Sequence, residues 1–207
     1  MKRGQFYTLP IWMFPVILTT GILTIPVVTD YSNHVLAEQA ASQTARWFWG
    51  HIISATAFGF AILAACSIAS HLVKKGQRRS AITSLSLVAI GGILYAVGLG
   101  ADGIGPLATV AGGGQALMFF EGSGEWVSGI FITASIIFGI GLITQVTGLI
   151  QAGLLTGLTR IIIFLAAIIF IGAGAIPSGW GLYGVAAAAM VVYIPIGLAV
   201  WQESIQE

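Results

Sequence analysis

Six stretches of this chain, at about 9–29, 47–72, 81–101, 127–150, 161–177 and 181–201, are apolar over the length a helix needs to cross a bilayer. That length is roughly 20 residues. Inside lipid every backbone N–H and C=O must find its partner within the protein, and a helix satisfies them within one segment. The eight basic and seven acidic residues all fall between these stretches or at the termini. The sequence therefore predicts an all-α integral membrane protein, a single transmembrane domain over 1–207 folded as a six-transmembrane-helix bundle. Composition agrees, because only 7% of residues are charged, against about a quarter in soluble domains.

The charges also orient the chain. Lys2, Arg3, Lys74, Lys75, Arg78, Arg79 and Arg160 fall on one side of the predicted membrane, and only Arg46 falls on the other, with Asp30, Glu38, Asp102, Glu121 and Glu125. Basic residues near span ends stay cytoplasmic, so both termini are expected there. Lys2 and Arg3 before an apolar run imitate a signal peptide. The run is longer than a signal's usual apolar region and no cleavage site follows closely, so it is expected to stay as the first span. A compact chain without an organelle-type presequence points to a prokaryotic cytoplasmic membrane. Pro15, Pro26 and Pro195 are expected to kink their helices.

Two outer loops are long enough to carry structure. The first, about 30–46, is rich in Ala, Glu and Gln and predicts a short surface helix. The third loop, about 102–126, contains Gly103, Gly105, Gly112, Gly113, Gly114, Gly122 and Gly124 and predicts an irregular segment folded back over the bundle. A parallel similarity at an offset of 80 matches Ile52, Phe58, Gly59, Leu85 and Gly92 with Ile132, Phe138, Gly139, Leu165 and Gly172. It would pair two helical hairpins.

Candidate functional residues fall into five groups. Ala57, Ala61, Ala65 and Ala69 form a small-residue stripe, and Gly153 with Gly157 forms one G-x-x-x-G; both patterns let helices approach closely in lipid. His51 and His71 lie near opposite ends of the second span, and with Trp47 and Trp49 they are candidates to hold a haem, pigment or quinone. No histidine occurs in spans three to six, which excludes two-haem bis-His ligation. Asp30, His34 and Glu38, at i, i+4 and i+8, would share one face of a helix and could ligate a metal. Asp102, Glu121 and Glu125 form an outer acidic cluster. Gln145 places a primary amide within a span, where it needs a partner or a polar cavity.

Several classes are excluded. A net charge of +1 is too small for a nucleic-acid partner. The lone Cys66 excludes a disulfide framework. Glu121-Gly122-Ser123-Gly124 lacks the first glycine of an intramembrane serine-protease motif and has no histidine base in span six, and no phosphate-binding glycine pattern follows a strand. No Asp, Glu, Lys or Arg falls within a predicted span, and the two histidines of the second span lie near its ends, which disfavours ion-coupled transport. The leading expectation is a non-enzymatic accessory or scaffolding subunit. It would contact membrane lipids and other membrane subunits or copies of itself through small-residue faces, helping to hold a lipid or cofactor. A channel or carrier for a small neutral solute comes second, and a His-ligated haem, pigment or quinone protein third.

Overall fold

The computed structural model describes residues 8–176 and 178–206; Lys2, Arg3 and Pro177 lie outside the described residues. Among these, the chain forms the helices α1 (Leu9–Thr24), α2 (His34–Ala41), α3 (Thr44–Lys74), α4 (Arg78–Ala111), α5 (Ala116–Glu121), α6 (Gly124–Gln151), α7 (Gly157–Gly174) and α8 (Gly179–Gln206). Five of them, α3, α4, α6, α7 and α8, are long and apolar enough to cross a membrane, and α1 is a shorter apolar helix. The chain has the build of a polytopic helical membrane protein.

Helix ends differ from expectation at three places. α1 stops at Thr24 because Pro26 disfavours helical geometry in the residue before it. Ile25 is extended, with φ −62° and ψ 132°, so Pro26 ends the helix where a kink was expected; Pro15 and Pro195 do lie inside their helices. α4 runs ten residues beyond the expected end, through Gly103, Gly105 and Pro106 to Ala111. The glycines of this stretch serve close packing: a Cβ on Gly103 would stand 2.6 Å from His51 Cβ, and one on Gly105 would collide with the Phe119 ring. Gly153 and Gly157 are helix ends, not a packing motif.

Gly153 belongs to a device used three times. α3, α4 and α6 each close with a glycine in the left-handed region, Gly76, Gly113 and Gly153, at φ +79°, +87° and +74°. The following N–H reaches back five residues, from Gln77 to Leu72, Gly114 to Thr109 and Leu154 to Leu149, at 2.8, 3.0 and 3.0 Å. This Schellman closure satisfies carbonyls that the helix end would otherwise leave open.

The helices α1, α3, α4, α6, α7 and α8 pack in that order as a closed ring, α8 returning to α1. Each contributes one aromatic side chain to the centre: Phe14, Phe58, Tyr95, Phe138, Phe170 and Tyr193. Phe58 stacks on Tyr95 at 4.4 Å and Phe138 on Phe170 at 5.3 Å, while Phe14 meets Tyr193 edge-on at 4.8 Å. In lipid, burial from water gives no driving force between helices, so van der Waals packing must hold the ring. Aromatic pairs add about 0.5–1.5 kcal/mol each beyond area burial. Phe58 and Phe138, partners in the offset-80 similarity, meet here at 5.6 Å.

The alanine stripe faces inward. Ala57, Ala61, Ala65 and Ala69 are buried in the chain's own core, so this face is occupied by its own neighbours and presents no seam to a partner. α2 and α5 lie across one end of the ring, where Ala37, Ala40 and Ala41 pack with Trp47, Ala116, Phe119 and Phe120. Glu38 Oε1 accepts the Leu117 N–H at 3.3 Å and joins the two short helices. At the opposite end Lys75 pairs with Glu203 and ties the α3–α4 turn to α8. Glu38→Ala is expected to cost about 1 kcal/mol, confined to this cap. Hydrogen exchange should quicken at the α5 amides while the thermal midpoint of the whole protein falls by at most about 2–4 °C.

Candidate functional site

Beneath α2 and α5 lies a cavity of about 340 Å³. Its floor is the top of the aromatic core, Phe58 and Tyr95, and its apolar walls include Leu18, Ile22, Leu99, Phe131, Leu182 and Val185. One helix face supplies the α3 side: His51, Ser54 and Phe58 are spaced i, i+3 and i+7 and all line the space, as helical periodicity requires. Ser54 Oγ is buried there without a hydrogen-bond partner among the described residues.

The polar end is a closed circuit of three residues on α3 and α4. His51 Nδ1 lies 2.6 Å from the Trp47 carbonyl, His51 Nε2 lies 3.1 Å from Asp102 Oδ2, and Trp47 Nε1–H donates to the Asp102 carbonyl at 2.8 Å. A carbonyl can only accept, so Nδ1 carries hydrogen. A hydrogen bond between Nε2 and Oδ2 then needs one shared proton, as imidazolium with carboxylate or as imidazole with carboxylic acid. Either form leaves the pair with no net charge. Trp47, fully buried, packs its ring on His51 at 4.5 Å, so it is a structural member of the site and not part of a lipid-facing belt.

Asp102 corrects an expectation. Its charge marked it as the start of a loop, yet it lies buried within α4, so one end of this bundle does hold an ionisable pair. Tyr31, in the segment before α2, also lines the cavity. Burial first, then the Asp102 carboxylate and Tyr183, push its phenol far above the ordinary range, which keeps it a donor. Tyr31 carried no sequence motif. Its only available clue was its place beside Asp30 at the end of a span.

The other candidates distribute as follows. Glu125 and His34 line the cavity rim, while Glu121 is exposed and does not reach it. Trp49 is exposed, against Phe48. His71 is buried near the far end of α3, about 30 Å away by helical rise, with Nδ1–H donating to the Ser67 carbonyl at 3.1 Å. The proposed metal stripe does not form one helical face, because α2 begins at His34 and Asp30 precedes it. Asp30 instead accepts the Ser32 hydroxyl at 2.6 Å and the Ser32 N–H at 2.9 Å, and these bonds hold its carboxyl below the usual carboxylate range. Among the described residues no three His, Cys, Asp or Glu side chains gather as a metal site. Gln145 is fully buried in α6, away from the cavity, with neither amide atom hydrogen-bonded within the described structure.

A haem or chlorophyll on His51 would need the lone pair of Nε2. That nitrogen is engaged with Asp102, and Nδ1 with a carbonyl, so the residues present do not fit axial ligation. Among the described residues no Lys or Arg lines the cavity, so these residues offer an anionic group no countercharge. What the arrangement can do is offer the Ser54 and Tyr31 hydroxyls to a neutral group in a largely apolar space. Searches against protein-family models, curated proteins and solved structures find no match to this chain.

Proposed function

We propose that the chain is a six-span membrane protein, its basic α3–α4 turn in the cytoplasm, that binds a small neutral molecule in the cavity on its outer side. The observation that carries this reading is the Trp47–His51–Asp102 circuit at the edge of a largely apolar space. Ionisable groups within membrane helices are costly and usually mark a site. The circuit satisfies its own members, while the Ser54 hydroxyl beside it has no partner among the described residues, and the cavity is where that donor would be used. At about 340 Å³ the space is at the small end of ligand pockets.

The other readings lose ground for stated reasons. The subunit reading drew on charge-free spans, small-residue stripes and the lack of a catalytic constellation; of these the alanine stripe is buried in the chain's own core, and the second half of that reading, the holding of a lipid or cofactor, is what the cavity supports. A channel or carrier would need a path along the ring, and six aromatic side chains fill its centre. The basic residues at the end opposite the cavity support the orientation, and the prokaryotic cytoplasmic membrane remains the expected location.

Native mass spectrometry of the protein released gently from its own membrane tests the reading. The wild type is expected to carry a bound neutral mass of a few hundred daltons. Asp102→Asn, which keeps size but changes the shared proton, is expected to weaken retention at least tenfold. Glu121→Gln serves as the surface control. A wild type that carries nothing, and takes up none of a panel of neutral ring compounds, would count against a ligand.

A further inference from the structure

The seam between α6 and α7 is closed over its lower part and parted above. Ser135 Oγ–H donates to the Ile171 carbonyl at 3.0 Å, Gly139 packs against Ile171, and Phe138 stacks on Phe170. One turn above Ser135 the closure ends. Glu125, Ser128 and Ile132, at i, i+3 and i+7 on α6, line the cavity and yet face outward, as do Ala175 and Ile176 across the gap. Ile132 is 48% exposed and Ile176 is 56% exposed. A side chain that lines a cavity and is half exposed stands at its opening.

The cause is a mismatch in length. α6 has 28 residues and α7 has 18, about 42 and 27 Å by helical rise. Both pack from the same lower end, so the first turns of α6 rise past the end of α7 and, among the described residues, find no helix beside them on that side. Along the slit the lining passes from Glu125 and Ser178 at the top, through Ser128, to Ile132 and Ile176 below. Trp126 and Trp180, 80% and 65% exposed, flank the polar top, where aromatic residues mark the head-group level. Ile132 lies six residues below Trp126, about 9 Å into the hydrocarbon.

We infer that the ligand enters sideways from the bilayer through this slit, and that it is a tailed, planar, neutral carbonyl compound of the quinone class. This rests on the ligand reading above. The Ser54 hydroxyl, without a partner among the described residues, and the Tyr31 phenol both line the cavity and are donors that suit carbonyl oxygens. Phe58, Tyr95 and Phe131 offer aromatic surfaces for a flat ring. The polar-to-apolar gradient of the slit fits a molecule whose ring sits inside while its tail stays in lipid.

The test uses the full chain in nanodiscs and two probes, decylubiquinone and its tail-less parent ubiquinone-0. Ile132 and Ala175 are changed to Cys in a Cys66→Ser background and bridged with a reducible bis-maleimide. The tailed probe is expected to bind at least tenfold more tightly than the tail-less one. Bridging is expected to slow its association at least tenfold, and reductant to restore it, which also shows that the bridged protein is folded. Association unchanged by bridging overturns the lateral route and leaves the ligand reading standing, as does equal affinity for the two probes. Binding of neither probe overturns both.

Discussion

Asp102→Leu is expected to destabilise the protein by about 3–5 kcal/mol, the cost typical of removing one member of a buried charged pair. The His51 ring cannot follow its lost partner. Its Nδ1 remains on the Trp47 carbonyl, and a Cβ on Gly103 would come within 2.6 Å of its own Cβ, so backbone and ring already stand in close contact. Nε2 would be left polar and unpaired in an apolar surrounding. The double variant His51→Phe with Asp102→Leu removes both polar groups and should recover most of the loss, because replacing a buried pair by apolar groups is often close to neutral. Thermal unfolding in one detergent, over the full cycle of single and double variants, measures the coupling. Glu121→Ala, at an exposed position, should stay within about 0.5 kcal/mol of wild type. If Asp102→Leu matches that control, the two residues do not form a buried pair.

The contrast between Asp102 and Glu121 shows where sequence reading succeeds and where it stops. Apolar length was enough to place five long apolar helices and a shorter one, and the Ala, Glu and Gln content a short helix over part of 30–46, because those follow from the bilayer's thickness and from local propensity. The site did not follow from either. A hydropathy window ends at a charged residue, so Asp102 and the glycines after it read as a loop. In the fold Asp102 pairs with a histidine fifty-one positions earlier, and the glycines let α4 pass close to His51 and Phe119. Both causes are non-local. Ala57 and Ala61 illustrate the same limit: spacing showed that they pack, and only the ring order showed that they pack inward. For Asp30, His34 and Glu38 the spacing was sound but the helix began one turn too late to use it.

Gly91→Ala is expected to cost about 3 kcal/mol, near the upper end of the usual overpacking penalty, although alanine is the better helix former. The added Cβ would stand 2.5 Å from the Phe138 backbone nitrogen and 2.7 Å from its Cα. Backbone cannot rotate away as a side chain can, so α4 and α6 must separate. Gly141 against Val88 and Gly148 against Ser80 continue this close approach along the same pair of helices. Phe138 contacts Phe14, Phe58, Tyr95 and Phe170, so a shift of its backbone loosens the aromatic centre and the cavity floor above it. Gly59→Ala and Gly172→Ala supply the opposite sign. Nothing lies within 4 Å of a Cβ at either position, and helix propensity alone should then stabilise by up to about 1 kcal/mol. Thermal midpoints of the three variants in one detergent, with elution as a single species as the check on folding, decide the matter. A Gly91→Ala midpoint that rises with the other two would mean that α4 and α6 are not in backbone contact, and the closed ring would have to be redrawn.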